Sequence, residues 1–229
     1  MRYALFILAA ILLALTPTAA LAADPRSGSN VTIDRNEVIN DDLYVTGGTL
    51  NIMGTVNGDV VAAGGTVDVS GSVTGDVIAA GGTINISGQV GESVRTTGGT
   101  VTISGPVDGD VLSGAGNLTL SPGARVGRDL LVGAGSATLN GQVTRNVISG
   151  SGDLTVNGPV GGDIQAQGGN IRLADGATVA GNLIYTSDQT PSIASGARVQ
   201  GQIVQQPSAQ ATTNPLLSRT IGWLQAVVA

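Results

Sequence analysis

Residues 58–74 read GDVVAAGGTVDVSGSVT, and this 17-residue pattern is the clearest indication of the fold. The pattern recurs about ten times between Asp41 and Gln206, at steps of 17 to 20 residues. The units begin at Asp41, Gly58, Gly75, Glu92, Gly109, Arg128, Arg145, Gly162, Gly181 and Gly201. A fixed period of this length indicates a solenoid, in which each unit packs mainly against its two neighbours.

Four columns of the unit are apolar in nearly every copy: positions 3, 10 and 12, counted from its first residue, and a column near the end of the unit. Positions 10 and 12 alternate with polar neighbours, which is the period-2 pattern of a half-buried strand. Most members are β-branched, as suits a pleated strand. The structural core columns that we predict include Val60, Val67, Val69, Val73, Val77, Ile84, Ile86, Val90, Val111, Leu118 and Leu120.

Position 8 is glycine in eight consecutive units, and these residues are the predicted turn glycines: Gly48, Gly65, Gly82, Gly99, Gly116, Gly135, Gly152 and Gly169. Glycines at a fixed offset suit corners that need a positive φ or a close backbone contact. We therefore predict an all-β chain. Its fold is a right-handed parallel β-helix (β-solenoid) of about ten 17–20-residue coils, each with three short strands.

The remaining segments flank the solenoid. An apolar run follows Arg2, and Ala20-Leu21-Ala22 resembles a cleavage site, so the start of the chain is predicted to be an export signal. An uncleaved anchor is the alternative; in both cases the solenoid is periplasmic or extracellular. The predicted organisation is a signal peptide (1–22), an N-terminal segment with a degenerate cap coil (23–40), the β-helix (41–206), a polar linker (207–214) and an apolar C-terminal tail (215–229).

The C-terminal tail carries apolar residues at helical spacing. The residues predicted to contact a membrane or to dock on the rod are Leu217, Ile221, Trp223 and Leu224. Fifteen residues are too few to span a bilayer. Three readings stay open: a helix docked on the last coil, an interfacial helix, or the beginning of a membrane region that continues past Ala229.

The composition removes several classes of function. The chain has no His and no Cys, and all ten basic residues are Arg. Nucleophilic catalysis by His or Cys, Schiff-base chemistry by Lys and the usual zinc sites are therefore absent. A net charge of −6 and 2% aromatic residues argue against nucleic-acid binding. We expect no enzyme, no catalytic residues and no cofactor.

The column at position 2 is the one that could bind a metal ion. Position 2 holds a carboxylate in most units: Asp42, Asp59, Asp76, Asp110, Asp129 and Asp163. Stacked carboxylates could bind a hard cation such as Ca²⁺. Asp also accepts backbone hydrogen bonds at turns. The second role is the one predicted, so no metal site is assigned.

The repeat consensus G-D-V-x-A-x-G-G-T-V-x-[IV]-x-G-x-V resembles that of the bactofilins, a family of polymer-forming bacterial cytoskeletal proteins. The resemblance covers most of residues 41–206. It implies a right-handed three-sided β-helix that polymerises end to end, through its terminal coils, without nucleotide. It also implies association with membranes and scaffolding of cell-envelope proteins. An export signal departs from the usual cytoplasmic location of that family, so this chain would be an exported bactofilin-like variant.

A non-polymerising surface module, adhesin-like or ice-binding, is the alternative function. Position 9 is threonine in four consecutive units, namely Thr49, Thr66, Thr83 and Thr100. Regular threonine ladders on a flat solenoid face can bind ice. The column then changes to Asn117, Ser136, Asp153 and Asn170.

Overall fold

Each coil of the chain contributes one long strand and one short strand to a parallel stack. A computed structural model describes residues 24–207. The predicted signal peptide, most of the predicted linker and the predicted tail lie outside these residues. The strands are β1 (Asp24–Ile33), β2 (Val38–Ile39), β3 (Leu43–Ile52), β4 (Thr55–Val56), β5 (Val60–Val69), β6 (Ser72–Val73), β7 (Val77–Ile86), β8 (Val94–Ile103), β9 (Pro106–Val107), β10 (Val111–Leu120), β11 (Arg125–Val126), β12 (Leu130–Leu139), β13 (Gln142–Val143), β14 (Val147–Val156), β15 (Pro159–Val160), β16 (Ile164–Leu173), β17 (Thr178–Val179), β18 (Leu183–Thr186), β19 (Ser192–Ile193), β20 (Arg198–Val199) and β21 (Ile203–Gln205).

The long strands form one parallel sheet in the order β1-β3-β5-β7-β8-β10-β12-β14-β16-β18-β21. The register pairs each residue with its equivalent in the next unit, for example Val60 with Val77. The short strands form a second stack, and isolated bridges from Val90 to Val73 and to Val107 join its two parts. The result is the predicted parallel β-helix, with about eleven turns.

The long strand bends at position 8. In β3 the paired residues run on both sides of Gly48, but Gly48 itself has no partner in the ladder to β5. Burial also changes phase there: positions 3 and 5 point inward before the bend, and positions 10 and 12 point inward after it. Two of the three predicted strands are therefore the two halves of one bent ten-residue strand, and the short strand is the third.

A close backbone approach accounts for the position-8 glycines. A Cβ on any of them would lie between 2.7 and 3.0 Å from a backbone carbonyl oxygen of the preceding coil. Among the glycines of residues 24–207, a positive φ occurs only at Gly168. Of the two reasons considered for this column, close contact is therefore the one that applies.

The interior is one continuous apolar column. The predicted core residues Val60, Val67, Val69, Val73, Val77, Ile84, Ile86, Val90, Val111, Leu118 and Leu120 are all buried. A further inward column at position 5 consists mostly of smaller residues, Val45, Ala62, Ala79, Thr96, Ser113, Val132, Ser149 and Ala166, and has the larger Tyr185 in its last described coil but one. Small side chains here leave room for the larger members of positions 3 and 12 within a narrow interior.

The first coil begins before the first clear sequence repeat. β1 pairs with β3 over its whole length, and β2 pairs with β4. The segment expected to hold a degenerate cap coil (23–40) thus forms a turn of the solenoid. At the other end the pattern breaks near Pro191: β18 ends at Thr186, and β19 pairs with β16.

Candidate functional site

The position-2 residues form a hydrogen-bonded ladder along one corner of the rod. The Asp42 carboxylate accepts the backbone N–H of Asp59 at 2.8 Å, and the Asp59 carboxylate accepts that of Asp76 at 2.8 Å. The same contact repeats from Asp76 through Gln202. Ser93, Asn146 and Asn182 take the acceptor role where aspartate is replaced.

The ladder explains why a short acceptor side chain is required at position 2. Backbone N–H groups at the corner lie where the chain turns between the two sheets, and an unpaired N–H would cost free energy. The second carboxylate oxygen is free for surface pairs, such as Asp76 with Arg95, or Asp129 with Arg145 at 3.3 Å. Within residues 24–207, no group of three His, Cys, Asp or Glu side chains is placed to hold a metal ion.

The N-terminal end of the rod carries charged side chains in inward-facing columns. Asp24 aligns with Leu43 at position 3, and Arg26 aligns with Val45 at position 5. Glu37 precedes β2 and so occupies the inward position taken by Gly54 in the next coil. Arg26 binds the Asp24 carboxylate at 2.7 Å and the Glu37 carboxylate at 2.5 Å. We call these three residues the N-terminal ion cluster.

The electrostatics of this cluster follow from the shared guanidinium. Its hydrogen bond to Asp24 holds the pKa of that carboxyl below its usual range, and partial burial opposes this effect. Its hydrogen bond likewise lowers the pKa of Glu37. The two carboxylates together raise the pKa of Arg26.

The C-terminal end is apolar instead. Ile203 at position 3 is 49% exposed, whereas its partner in the preceding coil, Leu183, is 0% exposed. Ile193 is 39% exposed and pairs with the fully buried Leu173. Val199 is only partly buried. We call Ile193, Val199 and Ile203 the C-terminal apolar end; its side chains continue the core columns, but no described coil lies beyond them.

The broad sides of the rod also differ from each other. Positions 9 and 11 form a polar side of threonine, asparagine, serine and aspartate. There Thr49, Thr66, Thr83 and Thr100 stack in register. Positions 4 and 6 form the other broad side, whose position-4 column is largely apolar. Sequence reasoning missed this column, although its apolar residues at a fixed offset were a signal that could have identified it.

The predicted turn glycines line the bend between the two broad sides. The predicted docking residues Leu217, Ile221, Trp223 and Leu224 lie outside the described residues. From Asp24 to Pro207, no helix is long and apolar enough to cross a membrane. No family model matches the chain, and no curated protein or solved structure matches it either.

Proposed function

We propose that this protein is a structural scaffold: an exported, bactofilin-like β-helix that assembles end to end through its terminal coils, without nucleotide, at the cell envelope. The observation that carries this proposal is the C-terminal apolar end. The core columns are fully buried in the preceding coils. Their last members are not: Ile203 is 49% exposed and Ile193 is 39% exposed. Burying such residues against another copy is favourable at roughly 25 cal/mol per Å² of apolar area.

Backbone groups support the same role. The last long strand, β21, pairs with β18 on one side only. Within residues 24–207 no strand pairs with the other edge of β21, so the N–H and C=O groups along it are a template for a further strand. A coil from a second copy would satisfy these groups and would cover Ile203 in the same step.

The contrast between the two ends indicates how copies would join. Two C-terminal apolar ends can meet around a two-fold axis, which closes the contact. Further growth then uses the N-terminal coils, where a two-fold axis would bring Arg26 of one copy near Asp24 and Glu37 of the other. The first joint is apolar and the second is ionic, so salt should weaken only the second.

Location and partners complete the proposal. Export through the segment at residues 1–22 would place the rod in the periplasm or outside the cell. The tail, through Leu217, Ile221, Trp223 and Leu224, would hold assembled rods at a membrane surface. In this role the rod presents its side faces to envelope proteins as clients, and the chain performs no catalysis.

Negative-stain electron microscopy of the purified protein tests end-to-end assembly. We expect filaments much longer than a single rod, which at ~4.8 Å per coil measures about 50 Å. Ile203→Asp should shorten them to rods or to N-terminal pairs, because it places a charge in the apolar joint. Thr100→Asp, on the exposed polar side, adds the same charge and should leave filament length unchanged. Uniform single rods for the unaltered protein would contradict the proposal.

The stacked threonines favour the second candidate, a non-polymerising binding module that contacts ice. Their register is regular from Thr49 to Thr100. Asp68 stands beside them at position 11, where a charge disturbs a flat ice-binding surface. Thermal hysteresis measurements separate the two roles. Activity that disappears in Thr83→Lys, in a protein that forms single rods, would favour ice binding.

A further inference from the structure

The first half of each long strand exposes an apolar column that no part of the described chain covers. These residues occupy position 4, between the inward positions 3 and 5, so their side chains point out of the rod. The column consists of Tyr44, Val61, Ile78, Arg95, Leu112, Leu131, Ile148, Gln165, Ile184 and Val204. Several members are strongly exposed, among them Tyr44 at 44%, Ile78 at 41%, Leu112 at 50% and Ile148 at 43%.

Small residues run beside this column at position 6, on the same side of the rod. They are Thr46, Ala63, Ala80, Thr97, Gly114, Gly133, Gly150 and Thr186, and the larger Gln167 interrupts them. The side therefore has a ridge of large apolar side chains next to a groove of small ones. We call these two columns together the apolar side. A Cβ on Gly133 or Gly150 would meet no atom within 4 Å, so the chain's own packing does not require glycine there.

Charge also distinguishes the apolar side. Its only charged residue is Arg95, which is paired with Asp76 at the neighbouring corner. The protein as a whole has a net charge of −6, and acidic residues such as Asp68 and Asp153 stand on the polar side. Two copies would therefore meet with the least like-charge repulsion through their apolar sides.

The size of the apolar side matches what a stable pair requires. About ten strands at ~4.8 Å spacing, each presenting about five residues at ~3.3 Å, give a surface of roughly 48 by 16 Å. That is about 800 Å² per copy, the usual contribution of one partner to a specific protein–protein interface.

We propose that two copies of this protein pair side by side through the apolar side. A two-fold axis parallel to the rod places the position-4 ridge of each copy over the position-6 groove of the other. A two-fold axis across the rods would instead set ridge against ridge. The ridge-into-groove arrangement therefore makes the two rods parallel, with both N-termini at one end. This contact is isologous and closed, and it does not involve the terminal coils.

Charge-insertion variants test the pairing. The variants are made in the Ile203→Asp background, which blocks the apolar end joint. Leu112→Glu combined with Ile148→Glu places two carboxylates on the ridge, and sedimentation equilibrium should show a mass half that of the Ile203→Asp protein. Asn117→Glu is the control, because it adds a carboxylate to the same coil as Leu112 but on the exposed polar side, and its mass should equal that of the Ile203→Asp protein. Unchanged mass in the ridge variant, with the fold intact by circular dichroism, would overturn the proposal.

A groove variant keeps the test independent of added charge. Gly150→Leu has open space within its own chain, so the folded rod should remain as stable as before. In the pair it would collide with the ridge of the other copy, and we expect dissociation at least tenfold stronger. Gly150→Leu that pairs as well as the unaltered protein would contradict the ridge-into-groove geometry.

Lateral and end-to-end contacts are separated by filament dimensions. Loss of lateral pairing should halve the width seen in negative stain and leave the length unchanged. Loss of end joining through Ile203→Asp should shorten the particles and leave the width unchanged. An unaltered protein of single-rod width that floats with phosphatidylcholine vesicles, and stops floating in the Leu112→Glu variant, would assign the apolar side to lipid and overturn the pairing.

Distances between spin labels test whether the two rods of a lateral pair are parallel or antiparallel. The chain has no cysteine, so a single cysteine can be labelled selectively. Asn57→Cys near one end and Gln200→Cys near the other each carry one spin label. In the Ile203→Asp background, which removes the apolar end joint, both variants should give label–label distances well below the rod length. Distances of about 40 Å or more at Gln200→Cys, which is far from the N-terminal joint and close to one rod length from its counterpart in an antiparallel pair, would show antiparallel rods and overturn this part.

Discussion

The Oδ1 atom of Asp59 accepts the backbone N–H of Asp76, 2.8 Å away and 17 residues later in the chain. This contact links two successive coils at the corner where neither sheet supplies a partner. It repeats along the rod, with serine or asparagine as the acceptor in a few coils. The carboxylate column thus stabilises the turns, as the sequence predicted when the two roles of aspartate were compared.

Removing one rung should weaken the rod. Asp59→Ala leaves the N–H of Asp76 without its acceptor, and we expect the free energy of unfolding to fall by about 1–3 kcal/mol. Asp59→Asn keeps an acceptor oxygen and should cost clearly less, since Asn146 and Asn182 fill this place in the native chain. Urea unfolding followed by far-ultraviolet circular dichroism measures both. Equal losses in the two variants would contradict the role of the ladder.

Two glycines of neighbouring coils should respond in opposite directions to the same change. Gly116→Ala puts a Cβ 2.7 Å from the carbonyl oxygen of Gly99, so we expect a loss of about 1–3 kcal/mol from overpacking. Gly133→Ala meets nothing within 4 Å. It should be neutral or should stabilise by up to about 1 kcal/mol, because alanine loses less backbone entropy on folding.

The comparison of these variants is made by thermal unfolding under identical conditions. Alanine already occupies position 6 at Ala63 and Ala80, so Gly133→Ala introduces nothing foreign to the apolar side. Similar destabilisation by the two substitutions would mean that the preceding coil's carbonyl does not restrict position 8.

A buried polar pair interrupts the apolar interior at position 5. The Thr96 hydroxyl donates to the Ser113 hydroxyl at 2.9 Å, and both residues are buried. Thr96→Val alone leaves the Ser113 hydroxyl without this partner and should cost about 1–3 kcal/mol. Adding Ser113→Ala should recover most of that loss, because both polar groups are then gone. A double-mutant cycle measures the coupling; purely additive effects would contradict it.

Acid should loosen the first coil through the N-terminal ion cluster. The pKa values of Asp24 and Glu37 are lowered in the folded state, mainly by hydrogen bonds to Arg26. The unfolded chain therefore binds protons more readily. The stabilisation is present above the ordinary carboxyl pKa values of about 4 and is lost as the pH falls through the lowered values.

The measurement compares the unaltered protein with Arg26→Gln by urea unfolding between pH 7 and pH 2. The difference in unfolding free energy should be largest near neutral pH and should shrink in acid, since the other carboxylates contribute equally to both proteins. A difference that stays constant over this range would contradict the assignment of the cluster.

The fold was predictable because its signals are large and repeated. Positions 3, 10 and 12 and the column near the end of the unit hold apolar, mostly bulky residues in nearly every unit, and the structure buries nearly all of them. Position 5 escaped notice because residues such as Ala79, Ser113 and Ser149 resemble surface residues in sequence. Their small side chains fit a narrow interior. For the same reason they do not stand out in a search for bulky hydrophobic positions.

The surfaces of the rod were less predictable. Nothing in the local sequence marks Arg26 as an inward residue, because β1 departs from the repeat and its register is set only by pairing with β3. The apolar residues at position 4 look like core when they are read one unit at a time. Only the alternation of buried and exposed side chains along the strand shows that Leu112 points outward while Val111 is buried.

The period of the coil, the parallel stacking of equivalent positions and the bulky core columns could be predicted from the repeat, because each of them depends on contacts between neighbouring units and recurs in every unit. Which side chains residues 24–207 leave uncovered could be learned only from the three-dimensional arrangement: they are charged at the first coil, and apolar at Ile203 and along position 4. The repeated sequence specifies which side chains are buried between neighbouring coils. The exposure of a side chain at an end of the rod depends on which coil lies last in the stack, and its exposure on a side depends on which face of the strand points outward.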